Sequence, residues 1–280
     1  MLKSIEEVYY MVDEIVKCGI SREEKRGRKS KLTASEAITI LIEGHRRHLR
    51  TEKQLYVLMT GELKDCFRTI PSYVQFTRTI RRVTPHLDFI LQVLTAFNLH
   101  KKQQFCIVDS TSLPVAGYNR HKVKWALDSA GVSKNMHGFY QGFKLHIIVN
   151  QDREIMSVAT TKANVSDIQL LKDYTFIRHI KGILIGDRGY TASEQHRQFL
   201  RSNGIRLIAK QRRNMDPYLN YYYRHILKKR SRIECIFGYL KMRLALIFPF
   251  LRSHESFLAH VKAAVIAFMF RQLTPNTVLF

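Results

Sequence analysis

Apolar residues recur every three to four positions through the first hundred residues of this chain and then gather into short strand-like runs. Ala34, Ala37, Ile38, Leu41, His45 and Leu49 share one face of a helix. Thr33-Ala34-Ser35-Glu36 opens it as a capping box. Tyr73, Phe76, Ile80 and Val83 repeat the spacing after Pro71-Ser72, with Arg78, Arg81 and Arg82 turned outward. Leu87, Ile90, Leu91 and Leu94 repeat it again after Pro85. From residue 105 the period shortens. Strands are predicted at Phe105–Ser110, Phe139–Val149, Ile155–Thr161, Gly182–Asp187 and Ile205–Ala209, with Asn150-Gln151-Asp152 as a hairpin turn. Helices are predicted over 167–178, 191–202, 223–248 and 255–271. This order predicts an α/β class: a mixed five-stranded sheet flanked by helices over 101–280, preceded by a helical N-terminal domain over 1–100.

Charge narrows the class of partner. Among 280 residues, 46 Lys and Arg face 23 Asp and Glu, a net charge of +23. A field of that sign calls for a polyanion, with nucleic acid first. The 45% apolar content excludes a disordered basic tail. Cys18, Cys66, Cys106 and Cys235 form no CxxC pair, so neither a zinc knuckle nor a disulfide framework is supported. The acidic, polar start is unlike a signal peptide, and the most apolar stretch, 256–270, is shorter than a membrane span. A soluble, cytoplasmic protein is expected.

Against this scarcity of acid, three carboxylates stand out. Asp109 closes the run Phe105-Cys106-Ile107-Val108, and Asp187 closes Ile183-Leu184-Ile185-Gly186. Glu234 lies on a predicted helix, and at 100° per residue Arg230, Glu234 and Lys241 fall nearly in line. Hard oxygen ligands brought from separate elements are what Mg²⁺ or Mn²⁺ requires. Each also has an ordinary use: Arg230 and Glu234 as a surface ion pair, the aspartates as strand-end caps. Basic residues surround them. Residues 201–232 hold ten Lys or Arg and one acid, Asp216. Arg188, Arg212, Arg213, Lys228, Arg230 and Lys241 are candidate DNA contacts, and Arg224 and Lys229 extend the track. Tyr218, Tyr221, Tyr222 and Tyr223 interleave with them, as base-stacking groups or as a packed aromatic edge. Trp125 reads as ordinary packing. The Arg22–Lys31 segment reads as phosphate-binding or as a solvated linker. His45-Arg46-Arg47-His48 reads as a phosphate-facing helix turn in preference to a metal pair.

Asp109-Ser110, Asp187-Arg188-Gly189-Tyr190, the Arg230…Glu234…Lys241 spacing and the strand Gly142-Phe143-Lys144-Leu145-His146 together resemble the DDE-type transposases of bacterial insertion sequences, most closely the branch called insertion-sequence family 982. Leu227 stands where related transposases carry a tyrosine three positions before the arginine. The resemblance implies a ribonuclease-H-like fold with Asp109, Asp187 and Glu234 as catalytic metal ligands. It implies two Mg²⁺ or Mn²⁺ ions, and no ATP, consistent with the lack of a P-loop. The implied partners are double-stranded DNA, as terminal inverted repeats and target, and a second copy of the chain; no membrane is involved. Two other readings stay open: a tyrosine recombinase using one of Tyr218 to Tyr223, and a non-catalytic DNA-binding protein derived from a transposase.

Overall fold

The computed structural model describes residues 4–19, 30–99, 103–117, 129–135, 138–210, 221, 223–246 and 253–273. The chain divides into two compact units. The first takes Met1–Leu94, Lys124–Asp128 and Tyr239–Phe280; the second takes Thr95–Val123 and Ser129–Gly238.

Helices α1 (Ile5–Gly19), α2 (Ala34–Arg46), α3 (Glu52–Thr60), α4 (Tyr73–Arg82) and α5 (Thr84–Asn98) begin the chain. The capping box at Thr33 forms as the sequence predicts: Glu36 N donates to Thr33 Oγ1 at 3.2 Å, and Thr33 N donates to Glu36 Oε2 at 2.7 Å. Thr51 with Gln54 and Ser72 with Gln75 form further boxes ahead of α3 and α4. α4 buries Phe76 and Ile80 and leaves Arg78, Arg81 and Arg82 exposed. α2 packs against α1, α3, α4 and the last helix, His254–Gln272. Surrounded this way, α2 buries residues on every side, not only on one apolar stripe.

One of those buried residues is His45, which corrects the expectation of a phosphate-facing turn. His45 is 3% exposed; its Nδ1 lies 2.8 Å from the Leu244 carbonyl, and its Nε2 lies 3.2 Å from Nδ1 of buried His260. The i, i+4 spacing from Leu41 made His45 a core position as much as a polar one, and packing against the C-terminal helix decides it. Burial pushes the His45 imidazole down to about 4 and lowers His260 as well, the His45 ring adding to the latter. The unfolded chain therefore takes up protons first, so this contribution is intact above the ordinary histidine value of 6.5 and is lost as pH falls toward about 4. The melting temperature is expected to fall between pH 7 and pH 5. His260→Leu should flatten that fall; a variant with the wild-type pH dependence would remove the pair as its source.

The second unit is built on a mixed sheet of six strands: β1 (Phe105–Gly117), β2 (Gly131–Asn135), β3 (Gly138–Asn150), β4 (Ile155–Lys162), β5 (Gly182–Gly186) and β6 (Ile205–Ala209). The path runs β2-β3-β1-β5-β6, with β4 also on β3. β3 is antiparallel to β1, β2 and β4, while β5 is parallel to both β1 and β6. This curled mixed sheet flanked by helices is consistent with a ribonuclease-H-like domain. The predicted five strands become six because Gly131–Asn135, a polar stretch without a buried-strand pattern, pairs with the outer half of β3. β1 also runs past Asp109 to Gly117, so Asp109 lies within a strand and not at its end. Between β4 and β5, the predicted helix is a 3₁₀ turn, Asp167–Lys172, and then α6 (Tyr174–Ile177). α7 (Glu194–Ser202) leads into β6. One sheet face packs Cys106, Val108, Ile148 and Leu184 against Leu171, Phe176, Ile177 and Leu200.

The predicted long helix over 223–248 is broken. It becomes α8 (Arg224–Lys228), a turn at Lys229-Arg230, and α9 (Ser231–Met242); the final helix is α10 (His254–Gln272). Side chains around that turn fasten it to the sheet. Lys229 lies over the Phe105 ring at 4.5 Å, and Arg232 donates to the Gln151 carbonyl at 2.9 Å. Those anchors, absent from helical periodicity, interrupt the helix. Among the described residues no helix is long and apolar enough to cross a membrane.

Candidate functional site

Strand register brings the two aspartates level. β1 and β5 are parallel, with Phe105, Cys106 and Ile107 opposite Ile183, Leu184 and Ile185. Asp109 and Asp187 each follow two residues after the last of those pairs. Opposite positions on parallel strands project to the same face. Asp187 leaves β5 into a 3₁₀ turn, Arg188–Tyr190, and its Oδ1 accepts from Gly189 N at 2.7 Å. Asp109 is 9% exposed; its Oδ1 accepts from Ser110 N at 2.8 Å.

Arg230 joins the third acid to the first. One guanidinium nitrogen donates to Asp109 Oδ2 at 2.8 Å and the other to Glu234 Oε1 at 2.8 Å. The break before α9 makes this reach possible, because it seats Arg230 in a turn fastened to the sheet while Glu234 stands one helical turn on. Glu234 keeps a side-chain exposure of 55%, against 12% for Asp109.

Asp167 is a fourth carboxylate that the sequence reading passed over. Its Oδ1 accepts from Ser110 Oγ and from Lys144 Nζ, each at 3.0 Å. Lys144 also donates to the Val165 carbonyl at 2.9 Å. Asp167 starts a 3₁₀ turn after β4, where an acid reads as a local cap, and its only sequence signal was a lone Asp at that junction. Lys144 sits in the β3 strand that was already singled out, two residues from His146. Burial pushes His146 down to about 4; its Nε2 lies 2.8 Å from Thr161 Oγ1.

Two of the aspartates act on the third, Asp109. Burial, with the Asp187 and Asp167 charges adding to it and the Ser110 N–H and Arg230 opposing it, raises the Asp109 carboxyl to about 6. Gly189 marks how tightly two of them approach. A Cβ there would lie 3.0 Å from Asp187 Oδ1 and 3.2 Å from Asp167 Oδ2. Gly189→Ala is therefore expected to force both carboxylates aside. If the acids form the working site, the variant should cleave DNA roughly 10- to 100-fold more slowly, as misplaced supporting groups usually do, with its fold retained. Unchanged rates would separate the Asp187–Asp167 approach from the chemistry.

As donors these residues suit a divalent ion: carboxylate oxygens are the hard ligands that Mg²⁺ and Mn²⁺ take, and the mutual repulsion at Asp109 is what a cation relieves. Among the described residues, however, no group of three or more His, Cys, Asp or Glu side chains is gathered so as to hold a metal ion. The cation between Asp109 and Glu234 is the Arg230 guanidinium.

The candidate DNA contacts divide. Arg188 is exposed in the turn after Asp187, and Lys228 is exposed on α8. Lys241 lies seven residues beyond Glu234 on α9, hence on the same face and roughly 10 Å along the axis. Burial pushes its ammonium down, and it makes no ion pair among the described residues. Arg212 and Arg213 lie outside the described residues, as do Tyr218, Tyr222, Trp125 and 22–29 of the basic N-terminal segment.

A family profile described as transposase DDE domain matches residues 99–249. No curated protein and no solved structure matches the chain.

Proposed function

Since that match spans more than half of its length, the chain belongs to the transposase DDE domain family, and we propose that it is the transposase of a bacterial insertion sequence, most like insertion-sequence family 982. In this reading it cleaves DNA at the element ends and joins the freed 3′-OH to target DNA. Asp109, Asp187 and Glu234 are the catalytic carboxylates. The observation that carries this assignment is the arrangement of the acids: Asp109 and Asp187 level on adjacent strands, with Arg230 tying Asp109 to Glu234.

Two Mg²⁺ or Mn²⁺ ions, held by Asp109, Asp187 and Glu234, would supply charge stabilisation for the attacking and leaving oxygens of phosphoryl transfer. The chain's own groups do the rest. Ser110 N and Gly189 N fix one oxygen of each aspartate, and Arg230 holds the other oxygen of Asp109. Lys144 and Ser110 hold Asp167 beside them. Arg230 orients Glu234 and offsets the crowded negative charge. Arg188, Arg212, Arg213, Lys228 and Lys241 hold the phosphates of the DNA strand. The helices of residues 1–100, with exposed Arg78, Arg81 and Arg82, recognise the ends or join two copies into a dimer on them; 101–280 is the catalytic part. The tyrosine-recombinase alternative gains nothing from these acids, which that chemistry does not need.

The test is cleavage of a DNA fragment carrying the element's own terminal repeats, with Mg²⁺, with Mn²⁺ and with EDTA. Nicks at the repeat boundary only with a divalent ion are expected. Cleavage in EDTA through a protein–tyrosine linkage would replace this reading with a recombinase. Specific binding without cleavage under any condition would leave a transposase-derived DNA-binding protein.

A further inference from the structure

We infer that the arginine-lined groove along β6 binds an unpaired nucleotide of a DNA strand. The groove encloses about 480 Å³, within the roughly 300–1,000 Å³ typical of small-ligand sites. Arg197, Arg201, Arg206 and Tyr223 line it over a floor of β6 backbone and side chains. Each gets there for a local reason. Arg197 and Arg201 are four apart on α7, hence on one face. Arg206 is exposed on β6, whose buried residues are Ile205 and Ile208. Tyr223 precedes α8, and the Arg206 guanidinium lies 5.6 Å from its ring centre and donates to its hydroxyl.

Three guanidiniums around one enclosed volume repel one another and call for an anion. Arg197 makes no ion pair among the described residues. Among the described residues Arg201 pairs only with Glu194, at 3.1 Å, with both side chains at least 60% exposed; a phosphate readily displaces such a partner. A solvated helix face would account for Arg197 and Arg201 alone. It would not account for a ring and a guanidinium held against each other inside the same groove. The Arg206 guanidinium bonded to the Tyr223 hydroxyl holds that ring in the groove, and an aromatic ring beside cations suits an unpaired base, because a duplex covers its bases on both sides. The position suits a strand passing the acids. β6 pairs with β5, and Ala209, which lines the groove, lies opposite Gly186, the residue before Asp187. The inference rests on the proposed function only in taking DNA as the partner.

The test uses the full chain in EDTA, so that binding is read without cleavage. A labelled single-stranded oligonucleotide and a duplex of equal length are titrated by fluorescence anisotropy at several salt concentrations. Arg197→Gln with Arg201→Gln should lower single-strand affinity about tenfold and reduce the salt slope by about one. Tyr223→Leu should lower single-strand affinity several-fold and spare the duplex, while Tyr223→Phe, which keeps the ring, should retain it. Equal losses for both DNAs in Tyr223→Leu, or no loss in any variant, would overturn the nucleotide site. Should a variant fail to fold, the wild-type protein photocrosslinked to a bromodeoxyuridine oligonucleotide gives the answer. Crosslinks to peptides containing Arg206 or Tyr223 support the site, and crosslinks exclusively elsewhere overturn it. A protein that binds single strands this way but never cleaves with Mg²⁺ would refute the catalytic reading and leave the groove standing.

Discussion

Asp109→Asn, Asp187→Asn and Glu234→Gln are each expected to lower DNA cleavage by at least about 10³-fold, equivalent to ~4 kcal/mol of barrier, while binding to terminal-repeat DNA stays within a few-fold of wild type. Each change removes one charge from the acid group and leaves the basic surface intact. Asp109 is the most exacting case, because it is bonded to Arg230 and is also crowded by both Asp187 and Asp167. With its carboxyl raised to about 6, wild-type cleavage should rise as pH increases through that value, since the ionised form is the ligand. The sign for folding is opposite. A carboxyl raised above its ordinary 3.8 favours the folded state at low pH, and that contribution is lost as pH passes about 6. Asp109→Asn should therefore lose this acid-side support, and its melting temperature should fall more steeply than that of the wild type between pH 7 and pH 4. Single-turnover rates and melting curves across that range check both. Near-wild-type cleavage in any of the three variants would remove that residue from the site.

The second large effect concerns Arg230. Its guanidinium is committed to two carboxylates, so Arg230→Ala is expected to slow cleavage roughly 10- to 100-fold, in the range typical of groups that orient ligands. Affinity for DNA, and its dependence on salt, should hardly change. Because the Arg230 charge lowers the Asp109 pKa, the acid limb of the pH–rate profile should also move to higher pH in this variant. Arg230→Lys should recover part of the rate without restoring the two-pronged geometry. Lys241→Ala is the contrast: with no ion partner among the described residues, Lys241 should act on phosphate, and its loss should flatten the salt slope by about one. If Arg230→Ala weakens binding by the same salt-dependent amount as Lys241→Ala, Arg230 is a phosphate contact and the orienting role fails.

Local physics made much of this protein readable from its sequence. A capping box needs only residues three apart, so Thr33 and Glu36 announced their helix. Unbroken apolar runs announced β1 and β5, because strands covered on both faces tolerate few polar side chains. Acids at the ends of two such runs were conspicuous in a chain with twice as many basic residues. What escaped depended on partners far away in sequence. β2 is a strand only because β3 extends beyond β4 to offer it an edge. The helix break at Lys229-Arg230 follows from contacts of the surrounding side chains with Phe105 and Gln151, which no helical period encodes. Asp167 looked like a cap until Ser110 and Lys144, more than twenty residues away, converged on it. His45 fitted both a core position and a basic surface turn, and the α10 histidine facing it settled which. The sequence determined where most helices and the apolar strands lie and which acids at their ends are unusual, because those depend on neighbours along the chain. Register, a broken helix and one arginine's choice of two carboxylates were decided only by tertiary packing, because each depends on residues brought together by the fold.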